Sequence, residues 1–485
     1  MAVTVLIPTT LRSFTGRRSE LELDGNTVGE VIQNLVDEYP DAKKAIFDEA
    51  GKLRTFINVF LGDTNVKKLN GFDTEVKDGD IIMLIPAIAG GSEESSVQED
   101  GRTEKLTNDE IMRYSRHLLL QEVGVKGQKK LKAAKVLIVG LGGLGTPLAQ
   151  YLAAAGVGTI GLVDFDEVES SNLQCQVIHR TRDVGRPKVA SARDAIHAIN
   201  PLVKVETYNL LLNAENALEL IEEYDVVADA TDNYKARYLI NDVCVLLGKP
   251  DVFGAMYQFE GQTSVYYAKE GPCYRCLYPA PPPVGLLPSC AEGGVLGALP
   301  GIIGSIQANE VIKLIIGGSQ PLIGRLITLD AWKMKFREVK IDKDPDCPIC
   351  GKHATIKELE EFDYEEFCGL KKQEEEEEPI IPIEAKELKR RLDAGEKITI
   401  VDIREPHERA IVKFPDAKVI PIGQLARRQN ELNPDVDTVF ICKEGKRSIL
   451  AINTLREAGY TGPMYNLKDG INTWARNVDQ TMPQY

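Results

Sequence analysis

Cys442 closes the apolar run TVFIC and opens the stretch CKEGKRS, which passes directly into the helix-patterned SILAINTLREAG. A thiol there faces a ring of backbone N–H groups, a helix N-terminus and the guanidinium of Arg447, all of which stabilise a thiolate or an anionic persulfide. Such a cradle also suits phosphate, as in cysteine phosphatases. Only four residues separate Cys442 from Arg447, however, and the smaller loop favours sulfur over a phosphoryl group. Cys273 and Cys276 form one C-x-x-C, and Cys347 and Cys350 form a second. Four soft ligands in two close pairs suit a closed tetrahedral Zn2+ site, with redox pairs or unligated core thiols as the alternatives. The long segment between the pairs makes zinc a staple between distant strands. Cys290 lies in the Pro- and Gly-rich LPSCAEGGVLG, where a thiol is a candidate for reactivity, whereas Cys244 and Cys368 read as packing cysteines.

A second chemistry is written in VLIVGLGGLG, which sets Gly140, Gly142 and Gly145 in a G-x-G-x-x-G array between a strand and a helix. Missing β-carbons let backbone N–H groups approach phosphate, and the helix N-terminus adds a favourable field. Asp164 ends the next strand about twenty residues on, where a carboxylate can hold ribose hydroxyls. The pattern specifies a nucleotide but leaves NAD and ATP both open, and a turn that merely packs helix on sheet is the bland alternative. Lys188 in GRPKVASAR and Asp232 in DATDNYKAR offer a cation for phosphates and a carboxylate for Mg2+, or are surface charges.

The elements that position these groups fall into several domains, because 485 residues exceed what one hydrophobic core organises. Residues 1–91 alternate apolar and polar positions in VTVLI and LRTFINVFL around one helical stretch, TVGEVIQNLVDEYP, and predict a β-grasp-like module. Residues 92–104 read as a solvated linker. From 105 to 370, strands AKVLIVG, TIGLVDFD and YDVVADAT alternate with helices, predicting a mostly parallel, doubly wound sheet. The charge block KKQEEEEEP, 371–379, is a second linker, and 380–485 is a smaller α/β domain. The fold class is thus multidomain α/β. No run approaches ~18 apolar residues, and the N-terminus reads as a strand rather than a secretory signal, which points to a soluble, cytoplasmic protein away from membranes. Nine cysteines without such a signal favour metal or thiol chemistry over disulfides. A formal charge of −15 argues against nucleic-acid binding.

The first module closes with IPAIAGG, where Gly90 and Gly91 have no side chains to obstruct a narrow channel. This module resembles the ubiquitin-like sulfur carrier proteins, the group that includes the molybdopterin-synthase small subunit. It is most similar to the carrier used for cysteine biosynthesis in actinobacteria, through VTVLIPTTLRSFTG, FINVFL and IPAIAGG. Residues 105–370 resemble the molybdopterin-synthase adenylyltransferase and ThiF family, related to ubiquitin-activating enzymes. That resemblance rests on RYSRHLLL, GLGGLG, LVDFDEVESSNLQ, GRPKVASARDAI, DATDNYKAR, CYRCLYP, SCAEGGVLG and CPIC. Residues 380–485 resemble a rhodanese through VDIREPHE, CKEGKRS and LKDGINTW.

The resemblance implies ATP as the nucleotide, with Gly140, Gly142, Gly145, Asp164, Asn172 and Lys188 in its site and Asp232 as the Mg2+ ligand. It implies a homodimer in which Arg116 reaches ATP across the interface. The four paired cysteines become a structural zinc site, Cys290 the crossover-loop cysteine and Cys442 the persulfide cysteine. One position departs from the family: the usual Q-R-Q is here Gln174-Cys175-Gln176, with Arg180 or Arg182 as possible substitutes for the missing arginine.

The implied reaction adenylates the Gly-Gly carboxylate of a carrier and then moves sulfur from a persulfide or thiosulfate donor through Cys442 to give a thiocarboxylate. Cysteine, molybdopterin, a thiolated tRNA base and thiamin are the possible destinations, with cysteine or molybdopterin favoured. Gly91 is amide-bonded to Ser92, so a processing metalloprotease is an expected partner, since the chain has no H-E-x-x-H of its own. The rival readings are a scaffold with an inactive adenylation site, marked by Cys175, and an NAD-dependent oxidoreductase.

Overall fold

The structure, a computed structural model, describes residues 2–86 apart from positions 13, 17, 49, 50, 55, 56 and 63, then 105–282, 293–368 apart from 360 and 361, and 380–485. Gly90, Gly91, Cys290 and both predicted linkers lie outside the described residues. The chain divides into two compact units, Met1–Ser96 and Val97–Tyr485.

In the first unit, β1 (Ala2–Leu6), β2 (Glu20–Asp24), β3 (Ile57–Leu61), β4 (Thr64–Asn65) and β5 (Ile81–Pro86) form a sheet of order β2-β1-β5-β3-β4. Only the β1–β5 pair is parallel. Helix Val28–Glu38 starts where the Thr27 side chain accepts from Glu30 N, and buries Val28, Val31, Ile32, Leu35 and Val36 on one face. That face packs with the inward residues of the strands, Val3, Val5, Ile57, Val59, Ile82 and Leu84. The helical stretch read through to Pro40 breaks at Tyr39, and Pro40 opens another helix, Pro40–Ile46, where its missing N–H costs nothing. ELELD alternates strictly, burying Leu21 and Leu23 and exposing its three acidic residues, and supplies an edge strand beyond those expected from the sequence.

The second unit contains two sheets. The larger holds β6 (Lys135–Val139), β7 (Thr159–Val163), β8 (Lys204–Tyr208), β9 (Val226–Asp229), β10 (Asp251–Tyr257), β11 (Glu260–Tyr266), β12 (Arg325–Asp330) and β13 (Lys335–Lys340) in the order β13-β12-β11-β10-β9-β6-β7-β8. Strands β8, β7, β6, β9 and β10 are parallel, as expected. Beyond β10 the sheet turns antiparallel, because a two-residue loop with Gln258 at φ 52° leaves no length for a crossover helix. Buried runs such as Val136–Val139 mark strands covered on both faces. Helix Ala298–Ile316 is, among the described residues, the one long and apolar enough to cross a membrane. It packs on β10 and β11, burying Leu299, Ile303, Ala308 and Val311.

The smaller sheet, β14 (Ile381–Ile383), β15 (Ile398–Asp402), β16 (Lys418–Val419), β17 (Asp437–Ile441) and β18 (Met464–Leu467), is parallel throughout, in the order β14-β18-β17-β15-β16. Alternation along its central strand sends Val439 and Ile441 into one core layer and Phe440 and Cys442 into the other.

Candidate active sites

The chain winds outward from β6 through β7 to β8, then returns to lay β9 on the other side of β6. Open sheets of this kind bind ligands beyond the strand ends at such a reversal. The Gly140–Gly145 turn and Thr231–Asp232 border that crevice. The three glycines are required for different reasons. At Gly140, with φ +94°, a β-carbon would lie 2.7 Å from Ala230 O, and at Gly145 it would lie 1.9 Å from Gly140 O. Both positions are closed by the protein's own backbone. At Gly142 the nearest atom to such a carbon is Gln176 Nε2 at 3.8 Å, so the room there is open to a ligand. Gln176 is itself buried, and its Oε1 has no partner among the described residues. The open glycine leaves room for a nucleotide's phosphates, with Gln176 Nε2 the donor nearest that room, while the orphaned Oε1 is an acceptor suited to a hydroxyl or a water rather than to phosphate.

Asp164, after β7, holds the turn as well as facing the crevice: its Oδ2 accepts from Leu141 N at 2.7 Å and its Oδ1 from Asp166 N at 2.8 Å. Burial pushes its carboxyl up, against the pull of Lys188. Lys188 opens helix Lys188–Ile199, is buried, and donates to Asp166 Oδ2 at 2.7 Å. Sequence reasoning named Lys188 without this counter-ion, which lies in the separate motif LVDFDEVESSNLQ, 22 residues earlier. Asp232 is exposed beyond β9. The carbonyl of Asn172 accepts from Cys175 N at 3.1 Å, Gln176 N at 2.9 Å and Cys175 Sγ at 3.4 Å. Cys175 is therefore a short, buried side chain turned onto its own main chain. Arg116, Arg180 and Arg182 are exposed, and no side-chain hydrogen bond or ion pair brings any of them to the glycine turn of this chain.

The sequence-distant cysteine pairs do meet. Cys273 Sγ lies 3.8 Å from Cys276 Sγ and 3.5 Å from Cys347 Sγ, and Cys276 Sγ lies 3.4 Å from Cys350 Sγ. All four fall within 4.8 Å of one another. Zn–S bonds of about 2.3 Å in a tetrahedron require sulfurs roughly 3.8 Å apart, so these residues fit the ion. Arg275, between the first pair, forms a buried ion pair with Asp242, donating from Nε at 2.8 Å and from an Nη at 2.7 Å, and Tyr364 donates to the same carboxylate. Cys244 and Cys368 are buried in the apolar core, as expected.

Cys442 follows β17 and is 1% exposed, with its Sγ accepting from Gly445 N at 3.0 Å. Gly445, at φ +84°, caps helix Lys446–Glu457. A facing segment holds the loop backbone to backbone: Ile471 N donates to Cys442 O at 2.9 Å, and at Gly470 a β-carbon would lie 2.4 Å from the Lys443 carbonyl. Arg447 departs from the expected cradle. Its guanidinium bonds both oxygens of Glu408, at 2.8 and 2.6 Å, with both side chains largely buried. Burial disfavours ionised Glu408, but the bonds from Arg447 hold its carboxyl below the ordinary range. At Cys442 Sγ the hydrogen bond described comes from the Gly445 N–H. Glu408 lies four residues after Arg404, within the same VDIREPHE motif that carried the rhodanese resemblance, and only the fold reveals the pairing.

Three family models match the chain in succession. The ThiS family matches residues 5–91, the ThiF family residues 114–349 and the rhodanese-like domain residues 384–477. The chain is 46% identical over 390 residues to the probable adenylyltransferase/sulfurtransferase MoeZ of Mycobacterium tuberculosis, covering 78% of this chain and 96% of that one. It is 42% identical over 400 residues to adenylyltransferase and sulfurtransferase MOCS3 of Culex quinquefasciatus, covering 79% of this chain and 91% of that one. Among solved structures it is similar to E. coli MccB with ATP, at a TM-score of 0.44 and 25% identity over 49% of this chain and 74% of that chain. Nearly all of the MoeZ sequence is matched, so roughly a fifth of the present chain extends beyond that relative. The chain belongs to the adenylyltransferase/sulfurtransferase family of enzymes and carries a ThiS-family domain in the same polypeptide.

Proposed function

We propose that this protein activates the Gly-Gly carboxylate of a ubiquitin-like sulfur carrier with ATP and converts it to a thiocarboxylate with sulfur carried on Cys442. A carboxylate is a poor electrophile because its leaving group would be oxide. In-line attack of the carrier carboxylate on the α-phosphate expels pyrophosphate and makes AMP the leaving group. The Gly142 N–H and Lys188, exchanging Asp166 for phosphate, would meet the developing charge. Asp232 would hold Mg2+, which would supply charge neutralisation for the phosphates.

Cys442 takes a sulfane sulfur from its donor, and the terminal sulfur of the persulfide attacks the acyl carbon. AMP departs and an acyl disulfide remains. Attack by a second thiolate, for which Cys290 is the candidate, on the Cys442 sulfur releases the carrier thiocarboxylate and leaves a Cys290–Cys442 disulfide, which a thiol reductant resets. The zinc cysteines hold structure only. A homodimer with Arg116 completing the partner's site, a cytoplasmic location and delivery of sulfur to cysteine or molybdopterin synthesis complete the reading.

The observation that carries this proposal is the Cys442 Sγ held by the Gly445 N–H in the same chain as an open Gly142 turn. Cys442→Ala should abolish transfer of sulfur from thiosulfate to cyanide and leave ATP–pyrophosphate exchange intact. Transfer at the wild-type rate would remove Cys442 from the mechanism. The scaffold reading draws on the buried Cys175 turned to Asn172, and the absence of exchange with an added carrier would select it.

A further inference from the structure

His179 takes no part in the chemistry above, yet it lies under the glycine turn and is 5% exposed. Its Nδ1 is 2.9 Å from Ser191 Oγ and its Nε2 is 3.2 Å from Leu141 O. A carbonyl oxygen only accepts, so Nε2 carries the proton and donates to Leu141, which leaves Nδ1 an acceptor facing the Ser191 hydroxyl, a group it shares with Asp183. Burial and the nearby Lys188 both disfavour the imidazolium and outweigh the carbonyl bond and Asp183, which favour it. The Leu141 N–H is fixed in turn on Asp164 Oδ2. In a trans peptide the carbonyl and the next N–H point in opposite directions, and no described peptide is cis. With the Leu141 carbonyl drawn to His179, the Gly142 N–H is turned away from the core. It donates to no group among the described residues.

We propose that His179 is a positioning residue for nucleotide binding, orienting the Leu141–Gly142 peptide so that the Gly142 N–H faces a phosphate. The inference rests on the reading of this turn as the nucleotide site. Ser191 selects the tautomer, Asp164 fixes the preceding N–H, and His179 never touches the ligand.

The test is calorimetric titration of the full chain with Mg-ATP and, separately, with adenosine, which has no phosphate. His179→Leu should weaken Mg-ATP roughly tenfold, the size expected for losing one charge-assisted hydrogen bond, and leave adenosine unchanged. His179→Gln, whose amide N–H stands near the Nε2 position, should stay within about threefold of wild type for both ligands. Ser191→Ala keeps the packing but frees the tautomer, and should cost Mg-ATP a smaller, still ATP-selective factor. Equal losses for ATP and adenosine, or no loss in His179→Leu, would overturn the proposal. If His179→Leu loses its cooperative melt, Ser191→Ala decides, and an unselective or absent effect there overturns it. Failure of the wild type to bind either ligand would instead overturn the nucleotide-site reading.

Discussion

Placing a methyl group at Gly142 or at Gly145 should separate binding from folding within one turn. At Gly145 the added carbon would sit 1.9 Å from Gly140 O, a backbone atom that cannot swing aside. A non-bonded carbon and oxygen need more than 3 Å, so strand end or helix must shift by about an ångström. Overpacking of this kind costs about 1–3 kcal/mol or more. At Gly142 φ is not in the left-handed region and the nearest atom is 3.8 Å away. Gly142→Ala should therefore leave stability unchanged or raise it by about 0.4–1 kcal/mol through the unfolded state. Its methyl nevertheless occupies the room for phosphate and removes about one charged hydrogen bond, worth 1.5–3 kcal/mol or roughly ten- to a hundredfold in ATP affinity. Thermal melts of the full chain together with ATP–pyrophosphate exchange read the two effects separately. A stable Gly145→Ala, or a Gly142→Ala with wild-type exchange, would refute the division of roles.

Cys175→Arg should raise pyrophosphate exchange roughly ten- to a hundredfold by restoring a charged contact to phosphate, and no gain over a wild type that is already fast would show that another group fills the gap. Asp251 is 2% exposed, its Oδ1 has no hydrogen-bond partner among the described residues, and burial pushes its carboxyl well up with Asp229 adding to the shift. The folded state therefore keeps a proton that the unfolded chain releases above about pH 4. That proton's stabilising contribution is complete at low pH and is lost as pH rises toward the folded value. Asp251→Asn should flatten the fall of stability as pH rises above the ordinary aspartate value of about 4, and an unchanged slope in chemical denaturation would contradict this. Asp242→Ala strands the Arg275 guanidinium inside a cage of Tyr238, Phe362 and Phe367. It should cost about 3–5 kcal/mol, while a loss below 1 kcal/mol would mean that water reaches Arg275.

Much of the fold was legible because its signals are local. The alternation of VTVLI, the buried run of VLIVG and the glycine turn each depend on neighbours a few residues away, and the described strands lie where these stretches put them. The candidate site was legible where residue type and spacing are unusual: the four paired cysteines do cluster, and Cys442 does stand between a strand and a helix. Sequence could not show which charges neutralise one another across the chain. Lys188 with Asp166 and Arg447 with Glu408 are pairs formed by tertiary approach over 22 and 39 residues, and each changes what a cation is free to do. His179 escaped notice because a single histidine carries no spacing. Its meaning depends on which carbonyl lies above it. The antiparallel half of the large sheet was missed because Gln258 and Phe259 carry no glycine to announce the hairpin.

The central claim is that a free Gly91 carboxylate is activated and receives sulfur from Cys442. An amide carbonyl, stabilised by resonance and without an anionic oxygen, cannot attack ATP, so this claim requires a cut between Gly91 and Ser92 before the chain's own first module could serve as carrier. The direct measurement is the intact mass of the carrier after incubation with Mg-ATP, thiosulfate and a thiol reductant, comparing chain cut after Gly91 with uncut chain. The account predicts that only the cut carrier exchanges one oxygen for one sulfur, and that it fails to do so with Cys442→Ala. Sulfur incorporation into the uncut chain, or unchanged incorporation with Cys442→Ala, would contradict it.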